Sequence, residues 1–414
     1  MYAQARRTSP PTNVNTQRRH RPDYVLAILA VSLTVVGLIV LFAISPALSA
    51  QKNVADNYFI NRQLIAVLFS LVGFFIVANL PLNIWKKLEM PLLVLAGVSS
   101  VVVRLFGEQV NGAYRWIQVG GLSFQPAELI KFALLIWFAG FLAERIRSGT
   151  IADTKKTLQP LLIAVGIIGF VVAVIQSDLG STTVMVAMIG SMAFVAGLPM
   201  KRLIVAAGII LIAVTLIISA TPYRRERLKT FVNPAADCQT TGYQTCQALI
   251  AVGSGGIFGL GIARSVQAYG YLPEAANDSI FAIFAEKFGF IGISALLALF
   301  VALFGRLVKI AERCPDDYSR LIVVGVLAWF STQAMINIGA MLGLLPLKGI
   351  TLPFISYGGT SLIFVTAALA LVFNISRYTS FRISKTLSEG ARHESFASRR
   401  GERGSRHAPV SRRP

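Results

Sequence analysis

Asp278 stands at the head of an apolar run, in YLPEAANDSIFAIFAEKFG. A carboxylate there has two uses. It can cap the following helix by accepting from exposed backbone N–H groups, or it can act as a general base on a hydroxyl at the mouth of a cavity. Asn caps about as well as Asp but takes up no proton, so Asp278→Asn separates the two. Cationic groups fall elsewhere: Arg224, Arg225, Arg227 and Lys229 in YRRERLK, Lys348 alone in LPLKGITLPFISYGG, and Arg115 before Trp116 in VNGAYRWIQVGG. Guanidinium forks match phosphate oxygens, so these residues suit a lipid-linked phosphate. They suit anionic headgroups equally well, with Tyr114 and Trp116 as interface anchors.

Other ionisable residues sit inside apolar stretches, where a charge needs a partner or a water-filled cavity. Glu128 and Lys131, three apart in QPAELIK, share a helical face as an ion pair. Asp178 precedes an apolar run and reads first as a cap. Glu286 and Lys287 interrupt IFAIFAEKFGFIG, where they would line a polar route or pair with another buried charge. Cys238 and Cys246 are open to two states, a disulfide in an oxidising compartment or two inert thiols. The three His residues lie in the tails, and no His/Cys cluster has metal-ligand spacing.

The elements that must hold these groups follow from composition. The chain has 414 residues, 55% hydrophobic and 14% charged, which excludes disorder and most soluble folds. The apolar excess must face lipid. About 20 apolar residues cross a bilayer, and on that criterion ten spans emerge: Tyr24 to Leu48, Ile60 to Leu80, Met90 to Phe106, Phe124 to Ala143, Pro160 to Gln176, Thr182 to Leu198, Leu203 to Ala220, Ser279 to Phe304, Leu321 to Leu345 and Thr360 to Ser376. The expected fold class is thus an all-α polytopic membrane protein. The first span is too long for a removable signal peptide and reads as a signal anchor; no repeat of 20 to 50 residues is visible.

Lys86, Lys87, Arg145, Arg147, Lys155, Lys156, Lys201, Arg202, Arg306, Lys309 and Arg313 fall on one side with both tails. That side should be cytoplasmic. The basic tails, 1–23 and 381–414, flank a membrane domain of 24–380. From the last span's end onward, the C-terminal segment and the N-terminal tail together carry +11 of the net +20. They either enforce topology as disordered segments or meet anionic lipid or an acidic partner. One outer connection is long, about 221–278. Within it Thr245 to Leu260 reads as a short interfacial or re-entrant helix followed by a glycine turn.

Taken in order, VNGAYRWI, QPAELIKFALL, QSDLGSTTVM, YRRERLKTFVNP, YLPEAANDSIFAIFAEKFGFIG and LPLKGITLPFISYGGTS resemble the SEDS family, the shape, elongation, division and sporulation proteins. The likeness covers about residues 24–380. Lys348 followed by Gly349, and Ser279 after Asp278, are more similar to its division and sporulation branches than to its elongation branch. The resemblance implies a SEDS fold and a peptidoglycan glycosyltransferase that polymerises lipid II on a nascent glycan strand, outside the bacterial cytoplasmic membrane and at the septum. Asp278 would deprotonate the acceptor hydroxyl. Displacing an α-linked pyrophosphate to leave a β-1,4 bond is one inversion and needs no covalent nucleophile. Arg115, Lys348 and the Arg224, Arg225 and Arg227 cluster would stabilise the leaving undecaprenyl pyrophosphate. Arg62, Glu128, Lys131 and Asp178 fall on family motif positions, where they would shape the cavity.

No cofactor is required by the sequence, although a divalent cation, Mg or Mn, would suit the pyrophosphate. The implied partners are a class B penicillin-binding protein transpeptidase and other division proteins, with no nucleic acid. Two departures touch substrate contacts: Ala276 replaces a His common near the Asp, and Tyr114 replaces a basic residue. The rival functions are a lipid-linked precursor flippase, which needs a path from the inner leaflet, an elongation-type polymerase, and a non-enzymatic scaffold.

Overall fold

The computed structural model describes residues 21–110, 113–119, 122–219, 225, 231, 238–240, 242–262 and 264–378. The first three helices are α1 Tyr24–Gln51, α2 Tyr58–Asn79 and α3 Leu82–Phe106. Then α4 covers Pro126–Arg147, and α5, Gln159–Ile168, lies between the π-helical turns Thr154–Leu158 and Gly169–Ile175. Next come α6 Leu179–Val195, α7 Met200–Ser219 and the short α8 Tyr243–Ser254. The last three are α9 Ile280–Glu312, α10 Asp317–Met341 and α11 Gly359–Ile375. Each of the ten apolar stretches contains a helix, and among the described residues seven helices are long and apolar enough to cross a membrane by length and composition. The structure is that of a polytopic membrane protein.

Helices α4 and α10 are buried over most of their length, whereas α2, α3 and the part of α9 beyond Gly289 are mostly unburied within the protein. The centre is built by α10 packing on α4, α6 and α9, and α2 packs along α11. Uniformly apolar helices have no preferred face. Which of them becomes central is therefore set by small residues at contacts. Gly325 of α10 lies directly against Leu135 of α4 and Met192 of α6, leaving no room for a side chain. At the basic ends, Arg306 of α9 pairs with Asp23 at 2.6 Å, and the Asp23 N–H donates to Ser376 at 2.9 Å, tying α1, α9 and α11 together.

Two elements depart from the sequence expectation. The VNG segment, read as a loop, forms a three-stranded antiparallel sheet: β1 Glu108–Val110, β2 Ala113–Val119 and β3 Leu122–Phe124, in the order β1-β2-β3. Strands this short lack a full alternating pattern, which is why period-based reading passes over them. Helix α9 is also broken at Gly289 (φ 63°, ψ −164°). A break at membrane depth frees backbone groups that lipid cannot satisfy, at several kcal/mol each. The glycine-rich segment after α8 supplies the partners. Leu260 and Gly261 N–H donate to the Glu286 and Lys287 carbonyls (2.9 and 3.0 Å), while Phe290 and Ile291 N–H donate to Gly256 and Ile257 (2.9 and 3.1 Å). A Cβ on Gly289 would stand 2.6 Å from the Ile257 carbonyl oxygen, so only glycine allows this approach.

Among the described residues the side-chain hydrogen bonds of Glu286 and Lys287 go to the outer loop. Glu286 accepts from Ser265 Oγ (2.5 Å), Val266 N–H (2.8 Å) and Gln267 N–H (3.1 Å), and Lys287 Nζ donates to the Ile262 carbonyl at 2.6 Å. They clasp the outer loop onto α9. Cys238 and Cys246 are joined by a disulfide at the start of α8.

Candidate active site

Successive spans alternate in direction, so the connections at 52–57, 107–125, 176–178, 255–279 and 342–358 gather at one end of the bundle. Asp278 lies there, buried, in the turn that precedes α9. The N-cap position of α9 is Ser279, whose hydroxyl donates to the Pro273 carbonyl at 2.9 Å, and Asp278 stands one residue ahead of it.

The turn is held from two directions. Asn337 of α10 donates through Nδ2 to the Asp278 carbonyl and to the Ile350 carbonyl, both at 2.7 Å. The Tyr357 N–H donates to the Ala276 carbonyl at 2.8 Å. The segment 342–358 is thereby laced to the Asp278 turn, and it brings Lys348, half-buried, and Gly349, exposed, alongside. A Cβ placed on Gly349 would lie 3.6 Å from Asp278 Oδ2 and 3.9 Å from Arg115 Nη1. Both groups therefore stand beside Gly349, no more than about 7.5 Å apart by those two distances.

Arg115 is carried on β2 and fixed by the helix ends beside it. Its Nε donates to the Gln176 carbonyl (3.3 Å) and its Nη2 to the Ser177 carbonyl (2.5 Å), two carbonyls at the end of the fifth span. These bonds aim the remaining Nη1 toward Gly349. The sheet is anchored in turn, because Thr360 of α11 donates to the Ser123 carbonyl of β3. Tyr114 lies under the Arg104 guanidinium, 4.7 Å from ring centroid to Cζ.

Asp178 is the N-cap of α6, accepting from Ser181 N–H (2.9 Å) and Ser181 Oγ (2.8 Å), with Gln125 Nε2 at 3.4 Å. Its helix packs on the lacing segment, for a Cβ on Gly180 would meet Ile350 Cγ1 at 2.6 Å. Arg62 stacks on Tyr58 at 4.5 Å and hydrogen-bonds Tyr357. Burial pushes the Tyr357 hydroxyl above its ordinary pKa, and the Arg62 charge pulls it part of the way back.

Glu128 and Lys131 form a buried ion pair at 2.7 Å. Lys131 also donates to Gln333 Oε1 (3.2 Å) and sits 5.1 Å from the Trp329 ring centroid. Gln333 passes the network on, donating to the Thr351 carbonyl (2.9 Å) and hydroxyl (3.1 Å), and Thr351 meets Ser361 at 3.0 Å. The pair is thus the base of a polar stack beneath the site.

Of the Arg224, Arg225 and Arg227 cluster, Arg225 is described and exposed, while Arg224, Arg227 and Lys229 lie outside the described residues. Among the described residues no three His, Cys, Asp or Glu side chains stand together to hold a metal ion. Sequence reasoning passed over Gln333, Asn337 and Thr351. The signal was present: two amides four apart in the otherwise apolar FSTQAMINIGAM place Gln333 and Asn337 on one face of α10.

With this geometry fixed, comparisons acquire meaning. The FtsW/RodA/SpoVE family model, described as cell cycle protein, matches residues 24–381. The chain is 36% identical over 370 residues to stage V sporulation protein E of Bacillus subtilis, covering 88% of this chain and 100% of that protein. It is 37% identical over 374 residues to the probable peptidoglycan glycosyltransferase FtsW of Saccharophagus degradans, covering 88% and 95%. Among solved structures, a chain reported under "structural coordination of polymerization and crosslinking by a peptidoglycan synthase complex" superimposes with a TM-score of 0.70 at 29% identity, covering 86% of this chain and 98% of that one. The rod shape determining protein RodA of Thermus thermophilus gives a TM-score of 0.63 at 28% identity, covering 86% and 97%.

Proposed function

The chain belongs to the FtsW/RodA/SpoVE family of cell cycle proteins, and from that membership we propose that it is a peptidoglycan glycosyltransferase whose general base is Asp278. The observation that carries the reading is that the Asp278 carboxylate and the Arg115 guanidinium, from separate elements, both come to Gly349. A polymerase extending a lipid-linked glycan needs a base for the acceptor hydroxyl and positive charge for the departing pyrophosphate, and both are drawn here from separate elements to one end of the bundle.

The reaction follows. Asp278 takes the proton of the acceptor sugar hydroxyl as its oxygen bonds to the anomeric carbon of the lipid-linked donor. The carbon–oxygen bond to phosphate breaks on the opposite face, and the electron pair leaves on undecaprenyl pyrophosphate. An α-linked donor becomes a β-1,4 bond in one displacement. Arg115 and Lys348 offset the charge that grows on the leaving group, in surroundings drier than water where such groups act strongly. Arg62 acts at one remove, through Tyr357 and the Ala276 carbonyl, on the turn that carries Asp278. Glu128, Lys131 and Asp178 hold the cavity walls.

The basic residues at the other ends of the spans support an outer face for this site and cytoplasmic termini. The activity belongs to division at the septum, in company with a crosslinking transpeptidase of the class B penicillin-binding type. A likeness to a synthase complex that coordinates polymerization and crosslinking supports that pairing.

The test uses the full chain in nanodiscs with its transpeptidase partner and labelled lipid II. Asp278→Asn should fold as the parent does and lose polymer formation by about 100- to 10,000-fold, the usual contribution of a general base. Undiminished glycan from that variant would overturn the assignment.

A further inference from the structure

Glycine at position 349 needs a reason, and the two ordinary ones fail. A glycine is required where the backbone enters the left-handed region, and Gly349 does not; the glycines that do include Gly256, Gly259, Gly261, Gly289 and Gly343. It is also required where another part of the chain approaches too closely for a Cβ. Gly180 is of that kind, with Ile350 Cγ1 2.6 Å from where a methyl group would stand, as is Gly37, with the Ile355 carbonyl oxygen at 2.5 Å. At Gly349 the nearest described atoms are Asp278 Oδ2 at 3.6 Å and Arg115 Nη1 at 3.9 Å, both ordinary van der Waals distances. The fold has room for alanine there. A methyl group there would stand within 4 Å of both the proposed base and its cation.

We propose that the bare Cα of Gly349 is the floor on which the acceptor hydroxyl docks, and that the size of residue 349 decides what reaches Asp278. The inference rests on the glycosyltransferase reading and deepens it by locating the acceptor. A hydroxyl bonded to Asp278 Oδ2 stands at ~2.7 Å from it. On the side facing Arg115 that oxygen falls in the volume a methyl would fill, with its carbon 3.6 Å from the same carboxylate oxygen. The backbone at 349 is exposed and the carboxylate beside it is buried, so position 349 stands on the surface side of Asp278. A sugar hydroxyl fits that gap; a side chain and a hydroxyl together do not.

The experiment compares Gly349→Ala, Gly349→Ser and Gly349→Val with Asp278→Asn and with Gly190→Ala. Gly190 lies in α6, where a Cβ would have nothing within 4 Å, so its alanine variant should behave as the parent. Each is assayed in nanodiscs with the transpeptidase partner and labelled lipid II, beside its thermal unfolding. Gly349→Ala should unfold at the parent temperature yet polymerise about 100-fold more slowly, the loss that a ~1 Å displacement of a reacting group brings. Gly349→Ser should be slower still, because its hydroxyl competes for Asp278, an effect that bulk alone would not produce. Gly349→Val should be silent. Parent-like polymerisation by Gly349→Ala while Asp278→Asn is silent overturns this inference and leaves the glycosyltransferase reading standing. Early unfolding of Gly349→Ala also overturns it, by giving the glycine a structural duty. Full activity of Asp278→Asn removes the base, and the inference with it.

Discussion

Asn337→Leu is the perturbation that separates holding the site from filling the core. The side chains share the same branched heavy-atom skeleton, Leu being the bulkier, and Asn337 is buried at 1% exposure, so the exchange removes the hydrogen bonds while keeping the shape of the branch. Nδ2 donates to two carbonyls, those of Asp278 and Ile350, each at 2.7 Å. Leaving a buried acceptor without its donor costs about 1–3 kcal/mol, so the two losses together come to roughly 2–6 kcal/mol. Against this, Asn337 Oδ1 is itself buried without a hydrogen-bond partner among the described residues, and its removal returns about 1–3 kcal/mol. The net destabilisation is then about 1–3 kcal/mol, enough to lower the unfolding temperature of the nanodisc protein but not to unfold it. The effect on rate should be larger in proportion. With Asn337 gone, the Asp278 turn keeps the Tyr357–Ala276 bond to the lacing segment, and a ~1 Å drift of the carboxylate costs about 100-fold in rate, or about 2.7 kcal/mol of barrier. The assay is glycan formation from labelled lipid II, normalised to folded protein, with unfolding followed separately. Parent-like polymerisation per folded molecule would refute the reasoning and reduce Asn337 to packing.

Two further expectations concern the buried polar groups. Lys131→Met should destabilise the protein by about 3–5 kcal/mol because it strands the Glu128 carboxylate, and adding Glu128→Gln should recover much of that loss; a double variant no more stable than the single one in chemical unfolding would refute the ion-pair account. Burial pushes the Cys314 thiol up to about 12, so about one part in ten thousand is thiolate at pH 8. With Cys238 and Cys246 bonded to each other, the native unreduced protein should take up almost no maleimide at pH 8 by intact mass, and three equivalents after unfolding and reduction; ready labelling of the native protein would contradict both assignments.

How much was legible depends on the range over which each feature is determined. The ten helices were readable because lipid solvation acts on each segment by itself: a stretch of apolar residues must satisfy its own backbone, and a helix does so. The Glu128–Lys131 pair was readable for the same reason, being three residues apart on one helix. The break at Gly289 was not, because its four freed backbone groups find partners at residues 256–261 and only that contact makes the break tolerable. Glu286 and Lys287 looked like channel residues for as long as the loop that they clasp was out of view. Asn337 illustrates the middle case. Its polarity in an apolar helix marked it as unusual, yet its role depends on carbonyls 59 and 13 residues away.

The sequence by itself determined the solvent, the number of spans, the side on which basic residues gather and, through ordered motifs, the family. These follow from composition and from patterns that each segment carries alone. The tertiary structure decided that Ser279 rather than Asp278 occupies the N-cap position of α9, that Arg115 spends two donors on the end of the fifth span and turns a third toward Gly349, and that the Asp278 carboxylate stands beside the same glycine. A site is a relation between distant residues. It exists only when backbone carbonyls, glycine contacts and buried amides fix segments from β2, α9 and α10 at distances of a few ångströms, which no local pattern specifies.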